Sequence, residues 1–337
     1  MLGALALATP LLGASCVLPG PPRPLVDSYA SLEGEPAEAP AQLTARFMGT
    51  TTIVFGDGRT TIMLDGFFSR PSMRRLLTRP VIPDEARVRA GLRDAGVTRL
   101  SAVLVAHSHH DHAMDAPYVA QLTGATVVGS PSTANIALGS GFPLERLQIV
   151  DDGWVCRFGA FTVTMFRTPH SRPNLASGSI EKPLSRSAGV LSYKDGGNFT
   201  FHVAHPLGNV LVVPSRAVRP DWSMPLRAGA VFLGVGGRIS GEERLRPYWN
   251  QFVVGSGAAT VYPIHWDDFF AAHELAEQGQ VPRRLRRKMR YLESLAGGGV
   301  AVRIPAYGKS IVLGEGATRL AERGGTGEAG MCRPPAG

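Results

Sequence analysis

Short apolar runs, broken by glycine, proline and aspartate, recur from about residue 43 to residue 313. "LTARFMGTTTIVFGDGRTTIMLDGFF" alternates apolar runs around a "GDG" turn, which predicts a hairpin with Asp65 at the end of its second strand. "DEARVRAGLRDAG" opens with acidic residues, keeps apolar residues at helical spacing and closes on Gly96, which predicts a helix. "LSAVLVA" reads as a short buried strand, "DAPYVAQLTG" as a helix with Asp115 at its N-cap, "ATVVGS" as a strand and "PSTANIALGSG" as a short helix. Downstream, "FTVTMFRT", "GNFTFHVAH", "NVLVVPS", "GAVFLGVG" and "AATVYPIHW" read as strands, with a helix over "GEERLRPYWNQFVVGSG" before the last. Two halves that each mix strands and helices predict a layered α/β (α+β) protein, each half presenting a sheet face to the other.

The flanks follow other patterns. Residues 1–18 are apolar and rich in small residues, like the apolar part of an export signal, although no Lys or Arg precedes Arg23. "LLGASC" loosely resembles a bacterial lipoprotein signal, with Cys16 as the lipidated residue. Residues 19–42 form a Pro/Ala/Glu-rich linker, and residues 314–337 read as a Gly-rich, frayed tail. The expectation is an exported chain held at a membrane surface, with a cytoplasmic location as the alternative. The three cysteines, Cys16, Cys156 and Cys332, show no CxxC spacing. Neither a disulfide framework nor a thiolate metal knot is indicated, and Cys156 reads as a packing residue in a strand.

A chain of 337 residues with 44% hydrophobic and 18% charged residues buries a substantial core, which excludes a disordered protein. The net charge of +8 raises nucleic acid or an anionic membrane as a partner. The densest basic run, Arg283 to Arg290, reads as a helix with one solvated basic face. It has no aromatic interleaving, so nucleic acid is not the expected partner.

Four of the nine histidines lie in "AHSHHDH", directly behind the strand "SAVLVA". In extended backbone His107 and His109 point the same way, so both can converge on one ion. Asp111 and His112 follow in the turn before the next helix and can approach from another side, onto a second ion. His170 in "RTPHS" and His265 in "YPIHWDDF" each stand just past a strand, where loops on a rigid scaffold carry chemistry, and could complete the ligand sets. His110 reads as a rim residue beside the site, His202 as packing within a strand, and His205 and His273 as surface residues. Of Asp267 and Asp268, one reads as a helix N-cap and the other as orienting His265.

"HSHHDH" resembles the HxHxDH motif of the metallo-β-lactamase superfamily, and His170 and His265 follow in that family's order. The resemblance covers roughly residues 43–313. It implies a four-layer αβ/βα sandwich with metals at one edge between the sheets. It assigns His107, His109 and His170 to a first metal, and Asp111, His112 and His265 to a second. It also places Asp65 near the metals, where its carboxylate would accept from a ligand's ring N–H. One position departs from the family: Ser215 in "NVLVVPSRAV" stands where a bridging aspartate is usual, so the second metal loses an anion. The runs "FFSRP", "SPSTAN" and "PIHWDDF" resemble a bacterial subgroup of the same superfamily, which strengthens the fold and leaves the substrate open.

The chemistry expected is metal-assisted hydrolysis of an ester, lactone, amide or phosphodiester by a metal-bound hydroxide, Zn2+ being the expected ion and Mn2+ or Fe2+ the alternatives. With a single zinc, Asp111 would be free to act as general base. The expected substrate is a small molecule or lipid-like. The alternatives are a nucleic-acid phosphodiesterase and a non-catalytic metal- or ligand-binding member of the family.

Overall fold

The computed structural model describes residues 42–170, 175–237, 241–271, 283–314 and 331–335. The apolar start expected over residues 1–18, the linker expected over 19–42 except its last residue, and His273 lie outside them. Two sheets stack face to face. In the first, β1 (Thr44–Phe47), β2 (Ile53–Gly56) and β3 (Thr61–Leu64) form antiparallel pairs, and β4 (Ala102–Leu104), β5 (Thr126–Gly129) and β6 (Leu147–Ile149) continue in parallel from β3.

The second sheet begins with β7 (Trp154–Phe158), β8 (Phe161–Thr168), β9 (Asn198–His205) and β10 (Gly208–Val213), all antiparallel to their neighbours. It continues in parallel through β11 (Ala230–Gly234), β12 (Thr260–Ile264) and β13 (Ala301–Val302). The strand β14 (Ser310–Val312) crosses back to pair with β1, which ties the end of the second half to the first sheet.

Burial follows the sequence pattern. β8 keeps Phe161, Val163 and Met165 on the face towards the first sheet, while β4 and β11 are buried throughout, as continuous apolar runs in parallel strands require. Between the sheets Phe47, Phe55, Leu64, Phe199, Phe201 and Phe232 form one core. A second core lies under the helices Glu85–Asp94 and Ala116–Thr123 on the outer face of the first sheet. A third lies where Leu285, Met289 and Leu292 of the helix Arg283–Ala296 cover the second sheet. The layers are therefore helix, sheet, sheet, helix, the four-layer sandwich. Among the described residues no helix is long and apolar enough to cross a membrane.

Several expectations are corrected. Asp115 stands at the start of its helix, but its side chain does not cap it. The carboxylate turns inward and accepts from Phe68 N (2.8 Å), Ser69 N (2.7 Å) and Ser69 Oγ (2.6 Å), which ties down the segment after β3. His205 is buried beside Asp57, with Nε2 3.3 Å from Oδ2, because it ends β9, where the second sheet meets the β2–β3 turn of the first. The basic run is not one solvated face: Arg286, Arg287 and Arg290 are exposed, but Lys288 is buried and its Nζ donates to Val235 O.

Within the span expected as a tail, residues 331–335 are described. Cys332 and Arg333 form β15, antiparallel to β7, with Cys332 opposite Cys156 and disulfide-bonded to it. That pair, 176 residues apart, was invisible to local spacing because only the register of β15 on β7 brings the two together.

The bridge removes unfolded-chain freedom on the order of 2–5 kcal/mol. Reductant is therefore expected to lower the melting temperature of the wild type and to leave that of Cys332→Ser unchanged, read by calorimetry. Before reduction, the denatured wild type should offer neither Cys156 nor Cys332 to a thiol reagent; free Cys156 and Cys332 would refute the pairing.

Candidate metal centre

The histidine loop gets its geometry from β4. Past Leu104 the backbone stays extended, with Val105 N donating to Val128 O at 2.9 Å. His107 then points to one side, and Ser108 turns to the other, into the hydroxyls of Ser130 (3.3 Å) and Thr133 (3.0 Å) of the "SPSTAN" run. His109 is extended (φ −64°, ψ 155°) and precedes the short helix His110–Ala113. The period-two expectation thus holds for the first pair: His107 Nε2 lies 3.1 Å from His109 Nδ1. His170, two residues past β8, brings its ring centroid 4.6 Å from that of His107 and 4.7 Å from that of His109. One nitrogen of each of the three lies within 4.8 Å of the others.

Asp111, His112 and His265 meet the same condition beside them. His112 Nε2 and His265 Nε2 each stand 3.5 Å from Asp111 Oδ2, and the rings of His107 and His112 are 3.8 Å apart. Both sets expected from the sequence are therefore brought together, and they adjoin.

Neighbouring groups decide which ring atoms face inward. Asp65 is fully buried at φ 58°; its Oδ1 accepts from Ala106 N (2.8 Å), and its Oδ2 is approached by Thr51 Oγ1 and by His112 Nδ1 (2.8 Å). With Nδ1–H held there, His112 Nε2 presents its lone pair to the site. His109 Nε2 donates to Ala176 O at 3.2 Å, which leaves Nδ1 facing His107. Thr51 was not foreseen. It belongs to an apolar hairpin and carries no signal except its place opposite Asp65.

The other foreseen residues divide. His110 is buried, edge-on to Phe67 at 6.0 Å and 6.4 Å from Phe269, with Nδ1 3.7 Å from Asp111 Oδ1. Ser215 is buried directly after β10 and belongs to neither trio. Asp267 does not touch the His265 ring; it binds Thr50 N at 2.8 Å and Arg70 at 2.6 Å. Asp268 Oδ1 accepts from Phe270 N at 3.0 Å across a turn. His202 is a packing residue, as expected, with Nε2 2.8 Å from Arg227 O.

Burial holds His107 well below the ordinary imidazole range, helped by His112, His109 and His170. It also lowers His109 and His110, and with His109 and His112 brings His170 to about 4. At His112 burial is outweighed by Asp111 and Asp65, so its pKa rises. At Asp111 burial is outweighed by His112 and His265, so the carboxyl is held well below its usual range. The first trio is thus a set of neutral nitrogens, and the second contains an ionised carboxylate.

This donor set fits divalent cations. His112 Nε2, the nitrogen turned towards Asp111, is buried without a hydrogen-bond partner among the described residues, a cost that a bound cation would remove. Three imidazoles suit zinc, and two imidazoles with a carboxylate suit zinc, iron or manganese.

Similarity to known proteins points the same way. The sequence profile of the Metallo-beta-lactamase superfamily matches residues 45–212, a span that holds five of the six clustered residues and stops short of His265. A metal-dependent hydrolase of Rhizobium meliloti is 24% identical over 161 residues, 48% of this chain and 62% of that protein, so the chain spans less than two thirds of that relative's length. A metallo hydrolase from the archaeon Ignicoccus hospitalis shares the fold at a TM-score of 0.50, with 14% identity over 80% of this chain and 97% of its own. An isothiocyanate hydrolase from Delia radicum gut bacteria does so at 0.50, with 14% identity over 81% of this chain and 100% of its own.

The proton balance makes a prediction for the chain in chelator. His107, His109, His110 and His170 stay unprotonated in the fold below pH 6.5, where the unfolded chain protonates them, so their contribution to stability falls as pH drops towards about 4. Asp115, raised by burial to about 6, and His112, also raised, take up protons in the fold first and oppose this, two groups against these four and His202, which burial also lowers. The expected net result is a melting temperature that falls from pH 6.5 to 4, and a melt that is flat across this range would contradict it.

Proposed function

This chain belongs to the metallo-β-lactamase superfamily, and we propose from that premise that it is a metal-dependent hydrolase of a small or lipid-like ester, lactone, amide or phosphodiester. The carrying observation is the trio of His107, His109 and His170, whose nitrogens converge within 4.8 Å. These residues would hold the tighter cation, with zinc the reading that their chemistry favours. Asp111, His112 and His265 would hold a second, more weakly, because Ser215 offers no anion where the family has a bridging aspartate.

A bound cation would supply Lewis acidity and lower the pKa of coordinated water from ~15.7 to ~7. The chain's own residues do the rest. Asp111, kept ionised by His112 and His265, accepts a proton from the attacking water when the second cation is absent. Asp65 keeps the His112 ring in one orientation through Nδ1. Phe67 and Phe269 limit water on the His110 side.

We place the protein outside the reducing cytoplasm, tethered at a membrane. The Cys156–Cys332 bridge supports this reading, because such bonds persist in oxidising compartments. The charge of +8 and the exposed Arg286, Arg287 and Arg290 favour a second reading, a nucleic-acid phosphodiesterase. Nucleic-acid binding that weakens steeply with salt would favour that second reading.

The test is elemental analysis beside a panel of ester, lactone, β-lactam and phosphodiester substrates. His109→Ala is expected to lose most bound cation and at least a hundredfold in turnover. Unchanged zinc content in that variant would refute the assignment. Fractionation should place the full-length chain with membranes and Cys16→Ser in the soluble fraction; wild type wholly in the cytosol would refute the location.

A further inference from the structure

Two of the three subgroup runs, "FFSRP" and "PIHWDDF", meet beside His265. Arg70 of the first is 0% exposed at its side chain and pairs with Asp267 of the second, itself 5% exposed, at 2.6 Å. Its Nη1 donates to Asp268 O at 3.2 Å. The other oxygen of Asp267 accepts from Thr50 N at 2.8 Å, and Thr50 O accepts from His265 N at 2.6 Å. Because Asp267 and His265 are two residues apart, these bonds close a ring around the turn that carries the ligand.

The backbone in this ring is strained. Among the described residues five non-glycines have positive φ; three of them, Thr50 (52°), Arg70 (41°) and His265 (58°), are members of the ring, and Asp65 holds His112 beside it. Such conformations persist only where the surroundings over-determine them. Gly49 (φ 90°) makes the ring sterically possible, since a Cβ there would lie 1.8 Å from Arg70 Nη2 and 2.9 Å from Asp267 Oδ2.

The His265 ring lacks the grip that His112 and His109 have. His112 is held through Nδ1 by Asp65, and His109 through Nε2 by Ala176 O. His265 Nδ1 is buried with no partner among the described residues, and the ring rests on Gly236, whose missing Cβ would stand 3.2 Å away. Its direction therefore has to come from its main chain. A buried ion pair is weak evidence of added stability, because desolvation offsets the attraction; its better-attested use is to select one conformation.

We infer that Arg70 and Asp267 form a buried latch that aims His265 through its backbone, and that this latch sets how tightly the Asp111–His112–His265 trio holds a divalent cation. Arg70 and Asp267 are positioning residues: neither reaches the cation. The inference rests on the reading of both trios as cation sites.

The test titrates the full chain with Co2+, up to millimolar concentration, by calorimetry and by the visible spectrum of the bound ion. His109→Ala and His265→Ala assign the two binding steps to their trios. Arg70→Lys keeps the charge but loses the fork, and Asp267→Asn keeps the shape but loses the charge. Both are expected to weaken the second step about 10–100-fold and leave the first unchanged, with Asp267→Glu recovering part of the loss. A wild type that binds no Co2+ overturns both this inference and the cation-site reading. A wild type with one step alone, or variants that keep both steps at wild-type affinity, overturn the latch only. Variants that lose both steps together also overturn it, since the pair would then hold the domain and not His265.

Discussion

Neutral imidazoles crowded at the edge where two sheets meet are the constraint around which the rest of this structure is arranged. His107, His109, His112 and His170 lie with ring centroids between 3.8 and 4.8 Å apart in the pairs that touch. A protonated ring there would face both desolvation and like charge, so burial and mutual proximity keep most of them neutral. Buried nitrogens with nothing to bond are costly, and an arrangement with several persists only where a ligand repays it or the scaffold over-determines it.

The scaffold does over-determine it, and by different means on its two sides. On the first sheet the support is side chain to side chain: Asp65 reaches His112, and the hydroxyls of Ser130 and Thr133 anchor Ser108 so that its neighbours face inward. On the second sheet the support runs through the main chain, from Arg70 and Asp267 by way of Thr50 to His265. The two trios also differ in charge. The first offers three neutral nitrogens, while the second carries the ionised Asp111.

The same economy of contacts explains the far end of the molecule. β7 would be an exposed sheet edge, open to pairing with another chain. β15 covers part of it, and the Cys156–Cys332 bond keeps it there. The disulfide joins a strand near the middle of the chain to its last described segment.

The sequence alone determined whatever depends on local periodicity. Alternation in "FTVTMF" placed a strand, continuous apolar character in "LSAVL" placed a buried one, and the period of two in "HSH" put His107 and His109 on one side. The long-range members, His170 and His265, were legible through their position just past strands and through resemblance to a family. Tertiary structure alone decided what hangs on register and on contacts between distant segments. Asp115 turned from helix cap to anchor of Ser69, His205 was buried against Asp57, and Cys156 found Cys332. Arg70 paired with a residue 197 positions away. Each of these partners is brought together by register or packing between segments whose spacing along the chain carries no period, so no local pattern records them.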